Sequence, residues 1–210
     1  MKNQLKMIVS ALALVGCQAY GQNLVLNGSF ESPPLGPTVY EYGVTGYDWD
    51  FGIGSGITAL PSAWDWSGSA PPPGAQVAFL QSAAGDFSQI VDAPSAGTYA
   101  LSFMDAGRPD FGPYGGDLTY QVLINGVGVD TLSTVSGQGW NTISLNVSLS
   151  NGLNTLEFQG VSANNPYHGS DDSAFIDDVS LTAVPDGGLT FALLGGALVG
   201  LQALRRKLFV

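Results

Sequence analysis

An antiparallel all-β sandwich, flanked by an N-terminal signal helix and a C-terminal hydrophobic helix, is the architecture this 210-residue chain predicts. Three observations carry that expectation. Short runs of alternating apolar and polar residues recur through the middle of the chain, each with one wet and one buried face at period two. Asn-Gly pairs punctuate these runs, and Asn-Gly supplies the positive φ angles of tight hairpin turns. No stretch between residues 22 and 184 sustains a 3.6-residue period, while 29 Gly and 12 Pro are spread along the chain. Many short strands with frequent turn signals read as a sandwich.

Taken in order, the chain opens with Lys2 and Lys6 ahead of an apolar run from Met7 to Gly16. This is the layout of a secretory signal peptide. Ala19-Tyr20-Gly21 suits cleavage before Gln22, while Leu14-Val15-Gly16-Cys17 also fits a bacterial lipobox that would leave a lipidated Cys17. On either reading the body has no cysteine, so disulfides and cysteine-ligated zinc are excluded. Strand candidates follow at 23–27, 38–51, 57–66, 75–81, 87–91 and 97–104. Asn125-Gly126 separates 120–124 from 127–130 and predicts a hairpin; Asn151-Gly152 repeats the device between 143–149 and 153–158. In the run before it, Ile143, Leu145, Val147 and Leu149 alternate with Ser144, Asn146 and Ser148. The last candidate strand is 173–182. The expected organisation is a signal peptide at 1–21, a β-sandwich domain at 22–183 and a sorting and anchor segment at 184–210.

Charge excludes one class of partner. Between residues 22 and 184, sixteen of the 17 acidic side chains face a single basic one, Arg108, for a formal charge of −15. Nucleic-acid binders attract polyphosphate with clustered Lys and Arg, so no nucleic acid is expected here.

The C-terminus has three parts. Val184-Pro185-Asp186-Gly187-Gly188 leads into 16 uncharged residues, Leu189 to Leu204, and then Arg205-Arg206-Lys207. Sixteen is a little short of the roughly 20 residues that span a bilayer, and the basic triplet would hold the far end in the cytoplasm. This layout resembles the PEP-CTERM family of bacterial sorting signals, in its VPDSG variant, with Gly187 in place of serine. The resemblance implies export, transient membrane anchoring and processing by an exosortase, and it assigns the signal to Val184, Pro185, Asp186, Gly187, Gly188, Arg205 and Arg206.

A second resemblance covers most of 23–182. The opening Asn23-Leu24-Val25-Leu26-Asn27-Gly28-Ser29-Phe30-Glu31 and the closing Ala174-Phe175-Ile176-Asp177-Asp178-Val179-Ser180-Leu181 look like the first and last strands of galactose-binding-like jelly rolls, which include many carbohydrate-binding modules. That likeness implies a jelly-roll topology and a structural calcium held by Glu31 and Asp177. Period two places Phe175, Asp177, Val179 and Leu181 on one face, making Asp177 an anion among apolar residues, where an unpaired carboxylate is costly. Protonation of Asp177, pairing with Arg108, or a wet strand end would relieve the same cost.

Catalysis has little to stand on. His168 is the only histidine, no G-x-S-x-G elbow occurs, and zinc lacks a ligand set; two carboxylates alone leave a glycoside-hydrolysing alternative open. Tyr40-Glu41-Tyr42 and Tyr47-Asp48-Trp49-Asp50-Phe51 alternate aromatic with acidic residues. In an extended strand Tyr47, Trp49 and Phe51 share a face, which is either a sugar-stacking platform or core. Trp64 and Trp66, flanking Asp65, read as core. Gly52-Ile53-Gly54-Ser55-Gly56 reads as a flexible loop. The Gly/Pro-rich loop 105–117 carries Arg108, Phe111 and Tyr114, a cation and two rings suited to a glycan unless Arg108 instead pairs with Asp105 or Asp110; loop 162–172 carries Tyr167, His168, Asp171 and Asp172. The expectation is a non-enzymatic exported surface or matrix protein that binds an extracellular glycan, the alternative being a structural matrix protein with no small ligand.

Overall fold

The computed structural model describes residues 21–36, 39–59, 74–109, 117–163, 172–184 and 195–196. Among these, eleven strands form two antiparallel sheets: β1 (Tyr40–Tyr42), β2 (Asp50–Phe51), β3 (Ser55–Ala59), β4 (Gln76–Gln81), β5 (Asp86–Ala93), β6 (Gly97–Gly107), β7 (Leu118–Ile124), β8 (Val127–Thr134), β9 (Asn141–Leu149), β10 (Gly152–Ala163) and β11 (Ser173–Ala183). One sheet runs β1-β3-β4-β11-β6-β9 and the other β2-β5-β10-β7-β8. The all-β sandwich is therefore present. The expected signal peptide and C-terminal helix lie outside the described residues, apart from a helical pair at 195–196. No described helix is long and apolar enough to cross a membrane.

The core forms between the two sheets. Phe30, Trp49, Phe87, Phe103 and Phe158 are almost wholly buried. Phe87 stacks on Phe158 with centroids 5.0 Å apart, and Phe103 meets Phe158 edge-on at 5.0 Å. Trp49 and Phe30 close on Phe87 at 5.3 and 5.8 Å. Rings of this size supply large apolar area and prefer such offset and edge-to-face geometry.

The two Asn-Gly pairs behave differently. Asn125 (φ 53°) and Gly126 (φ 74°) both take positive φ, and β7 and β8 pair as the predicted hairpin. Asn151-Gly152 joins no hairpin: β9 pairs with β6 in one sheet, while β10 pairs with β5 and β7 in the other. The turn there carries the chain across the sandwich. Asn154 holds it, accepting from Ser150 N at 3.0 Å and donating to the Ser150 and Gly152 carbonyls at 2.9 and 2.8 Å.

Three further expectations change because single residues adopt left-handed φ. The expected strand 23–27 does not form. Leu24 N still donates to Leu181 O at 2.9 Å, but Asn27 (φ 49°) turns the chain away. The expected strand 38–51 splits into β1 and β2 around Gly43, Gly46 and Asp48, all at positive φ. In β11, Asp178 at φ 51° sits in a bulge that shifts the register between Asp177 and Ser180. The bulge inserts one residue and flips the parity behind it. Ala174 and Ile176 face the main core before the bulge, Val179 and Leu181 after it. Phe175 belongs to a second cluster with Val77, Phe79 and Ala106, so it does not share a face with Val179 and Leu181.

Candidate functional site

That second cluster begins a stripe across the outer face of the six-stranded sheet. The register aligns Tyr42, Gly56, Phe79, Phe175 and Ala106 on β1, β3, β4, β11 and β6, and Trp140 packs against the cluster beyond Ala106. Phe79 and Phe175 are buried, whereas Tyr42 at the sheet edge is 42% exposed. Gly56 makes the row continuous. A Cβ there would meet Phe79 Cζ at 3.0 Å and collide with the Glu41 carbonyl oxygen, so only glycine lets the Tyr42 ring reach Phe79, edge-on at 5.0 Å. Tyr40, two residues back, is also exposed and meets Tyr42 edge-on at 5.7 Å.

Beside Tyr42 opens a cleft of about 620 Å³ lined by Tyr42, Phe51, Ile53, Gln81 and the backbone of Gly43, Gly52 and Gly54. Small-molecule sites are commonly of this size, apolar with a few placed polar groups. Here those groups are the Tyr42 hydroxyl, which donates to Gln81 Oε1 at 2.5 Å, and the Gln81 amide. The segment Gly52-Ile53-Gly54 forms one wall of the cleft, with Gly54 at φ 75° and Gln81 N donating to its carbonyl at 2.7 Å. The expectation of a merely flexible loop at 52–56 is thereby corrected, since Ser55 and Gly56 already belong to β3.

The strand order brings distant sequence segments to the same end. Gln81 is the register partner of Ser173, and Ser173 O accepts from Arg108 N at 3.0 Å. Asp172 O accepts from Ser82 N at 2.8 Å. Both loops singled out in the sequence therefore root next to the Tyr42–Gln81 cleft. Phe111, Tyr114, Asp110, Tyr167, His168 and Asp171 lie outside the described residues, as do Trp64 and Trp66. Arg108 itself is buried. Asp105 is engaged in the interior, accepting from Tyr120 Oη at 2.8 Å and from Gln138 Nε2 at 3.3 Å.

Trp49 is not a platform. Only 2% of it is exposed, its Nε1 donates to Asn27 O at 3.1 Å, and its ring packs on Phe30 and Phe87. Left-handed Asp48 breaks the alternation that would have aligned Tyr47 with it, and Tyr47 is exposed instead. The residues missed by sequence reasoning are Gln81 and Ile53. Tyr40-Glu41-Tyr42 carried the signal for the exposed rings, but nothing in the sequence placed Gln81 beside them.

Asp177 is 1% exposed, on the stripe's side of the sheet rather than the core side expected from alternation. Burial pushes its carboxyl up to about 8; the Asp178 N–H donating to Oδ1 at 2.8 Å opposes this, and the Asp178 and Glu31 charges add to it. Glu31 is thus close enough to be felt. Its Oε1 accepts from Ala75 N at 2.7 Å and Gln76 N at 3.0 Å. No group of three or more acidic, His or Cys side chains suited to a metal occurs among the described residues. Val184, the first residue of the sorting motif, donates its N–H to Thr98 O at 3.1 Å; Pro185, Asp186, Gly187, Gly188, Arg205 and Arg206 lie outside the described residues.

Comparison with known proteins adds a match and several likenesses. The VPDSG-CTERM motif model matches residues 183–208, which implies an exported, surface-sorted protein. No curated protein matches the chain. Among solved structures, the fold is similar to a family 35 carbohydrate binding module from Clostridium thermocellum, with 18% identity and a TM-score of 0.47 over 70% of this chain and 98% of that one. It is also similar to CBM35 from Paenibacillus barcinonensis, with 14% identity and a TM-score of 0.46 over 70% and 99%. A third likeness is to carbohydrate-binding module CBM36 in complex with calcium and xylotriose, with 16% identity and a TM-score of 0.43 over 70% and 98%. At these scores the likenesses assign no ligand and no residue role to this chain.

The carboxyls of Asp105, Asp177, Asp86 and Glu157 are all raised, chiefly by burial. A raised acid holds its proton more tightly when folded than when unfolded, so stability is fullest below the ordinary carboxylate range and declines as pH rises through the folded values. In chelator, the melting temperature is therefore higher at pH 5 than at pH 8. Asp177→Asn narrows the gap. Equal melting at the two pH values contradicts the assignment.

Proposed function

We propose that this chain is a non-enzymatic, surface-sorted module that binds an extracellular glycan in the cleft of Tyr42, Ile53 and Gln81. The observation that carries this reading is the exposed end of the stripe. Tyr40 and Tyr42 stay in solvent beside an amide and a glycine-walled cleft, which suits the apolar face and hydroxyl edge of a sugar ring. The Gly/Pro-rich loop with Arg108, Phe111 and Tyr114 roots at the same end and extends the proposed site. A ring contact is worth about 1 kcal/mol, so Tyr42→Ala weakens retention on a polysaccharide column several-fold, with Tyr114→Ala and Phe111→Ala as parallel arms. Unchanged retention in all three variants, with wild type retained, places the site elsewhere. No retention of wild type by any polysaccharide favours the purely structural matrix role.

Calcium is proposed at Asp177 and Glu31. Asp177 is a buried carboxyl in the field of two other acids, and hard oxygen donors suit a hard cation. When bound, the ion would neutralise the site and tie the 27–31 turn to β11. A ligand that binds only the folded state raises its melting temperature with concentration, so calcium raises it at pH 8 and Asp177→Asn removes the response. A melting curve indifferent to calcium and chelator overturns the site.

The tail is proposed to anchor the protein in the membrane until an exosortase-type protease processes it near Val184-Pro185-Asp186-Gly187-Gly188, upstream of Arg205 and Arg206. Mass spectrometry of the mature surface protein then finds no residues beyond this motif. An intact Val210 terminus overturns processing.

A further inference from the structure

The two sheets have four edge strands, and three carry the features that keep edges from pairing with other chains. β1 has three residues and β2 two, while β8 has Asp130 and a register shift where it pairs with β7. Short edge strands, charges and bulges are the usual protections. β9 has none of them. It runs nine residues, Asn141–Leu149, without Pro, charge or bulge, and its register with β6 is unbroken from Leu149↔Gly97 to Asn141↔Asp105. Among the described residues, no backbone hydrogen bond reaches β9 from any strand but β6.

The pattern of β9 is complementary to itself. In a two-fold antiparallel pairing centred on Leu145, Ile143 faces Val147, Thr142 faces Ser148 and Ser144 faces Asn146 of the second copy. Parity is kept, so Ile143, Leu145, Val147 and Leu149 of both copies stay on the core side and Thr142, Ser144, Asn146 and Ser148 outside, with Asn141 opposite Leu149 at each end of the pairing. Ile143 and Leu145 are only partly buried where they pack against the core, and a second copy would cover them.

Charge points the same way. A body of formal charge −15 repels its own kind over most of its surface, yet residues 93–104 and 131–156 contain no charged side chain at all. These segments supply most of β6, all of β9 and the turns beside them. We infer that β9 pairs with β9 of a second copy, joining two six-stranded sheets into one continuous sheet about an isologous two-fold axis.

The test uses the full chain extracted in detergent, with Cys17→Ser to remove the one native thiol. Leu145→Cys, on the two-fold axis, forms an intermolecular disulfide on mild oxidation, whereas Ser133→Cys on the β8 edge does not. Ser144→Lys with Asn146→Lys sets lysines opposite each other across the axis. It abolishes the cross-link in the Leu145→Cys background and reduces the sedimenting mass from dimer to monomer, with the circular dichroism spectrum unchanged. Failure of Leu145→Cys to cross-link overturns the inference, as does equal cross-linking through Ser133→Cys. A double-lysine protein that keeps the dimer mass also overturns it, because association then comes from another part of the chain. Polysaccharide retention by the monomeric variant reads the glycan proposal separately.

Discussion

The contact between Phe87 of β5 and Phe158 of β10, with Trp49 and Phe30 closing over one side and Phe103 reaching across from the opposite sheet, holds the two layers together. The body has no cysteine and a single basic side chain, so neither disulfides nor a set of ion pairs reinforces it. Loss of a buried ring from such a cluster costs about 3–5 kcal/mol, against a total stability of about 5–15 kcal/mol for a domain. Packing on this scale holds the two sheets face to face. The strand order sets which loops meet at the sandwich end.

How much of this was legible follows from how each element is encoded. The β7–β8 hairpin could be read because Asn125-Gly126 encodes its turn locally. The run at β9 could be read because its alternation is unbroken. The sheet switch at Asn151-Gly152 could not, since the same dipeptide serves a hairpin or a crossing, and the Asn154 side chain that fixes the crossing contacts atoms no pattern specifies. The errors at 23–27, 47–51 and 175–181 share one cause. Asn27, Asp48 and Asp178 take left-handed φ without being glycine, and one such residue reverses the parity or direction of everything after it.

The candidate site was legible only in part. Exposed rings at Tyr40 and Tyr42 follow from their alternation, but their neighbour Gln81 comes from β4, reached through β3 in the sheet order. Gly56 looked like loop, yet its missing side chain lets the aromatic stripe run from the edge to the buried Phe79. Arg108 stood out as the lone cation. Its backbone N–H, bonded to Ser173 O, joins the bases of the two long loops.

The place of β11 has a mechanical consequence. The last strand of the domain, directly before the sorting segment, lies in the middle of its sheet, paired with β4 over Ser173–Ile176 and with β6 over Ala174–Ala183. The N-terminal segment is tied to it as well, through Leu24 N to Leu181 O and Leu181 N to Asn23 Oδ1. Were the tail held in a membrane as proposed, tension along it would enter the domain through Ala183 and load the β6 row in shear before reaching the β4 row at Ser173–Ile176. An edge strand at the same position would instead peel open one bond at a time. The sheet order would thus join such a tether to an interior strand rather than to an edge.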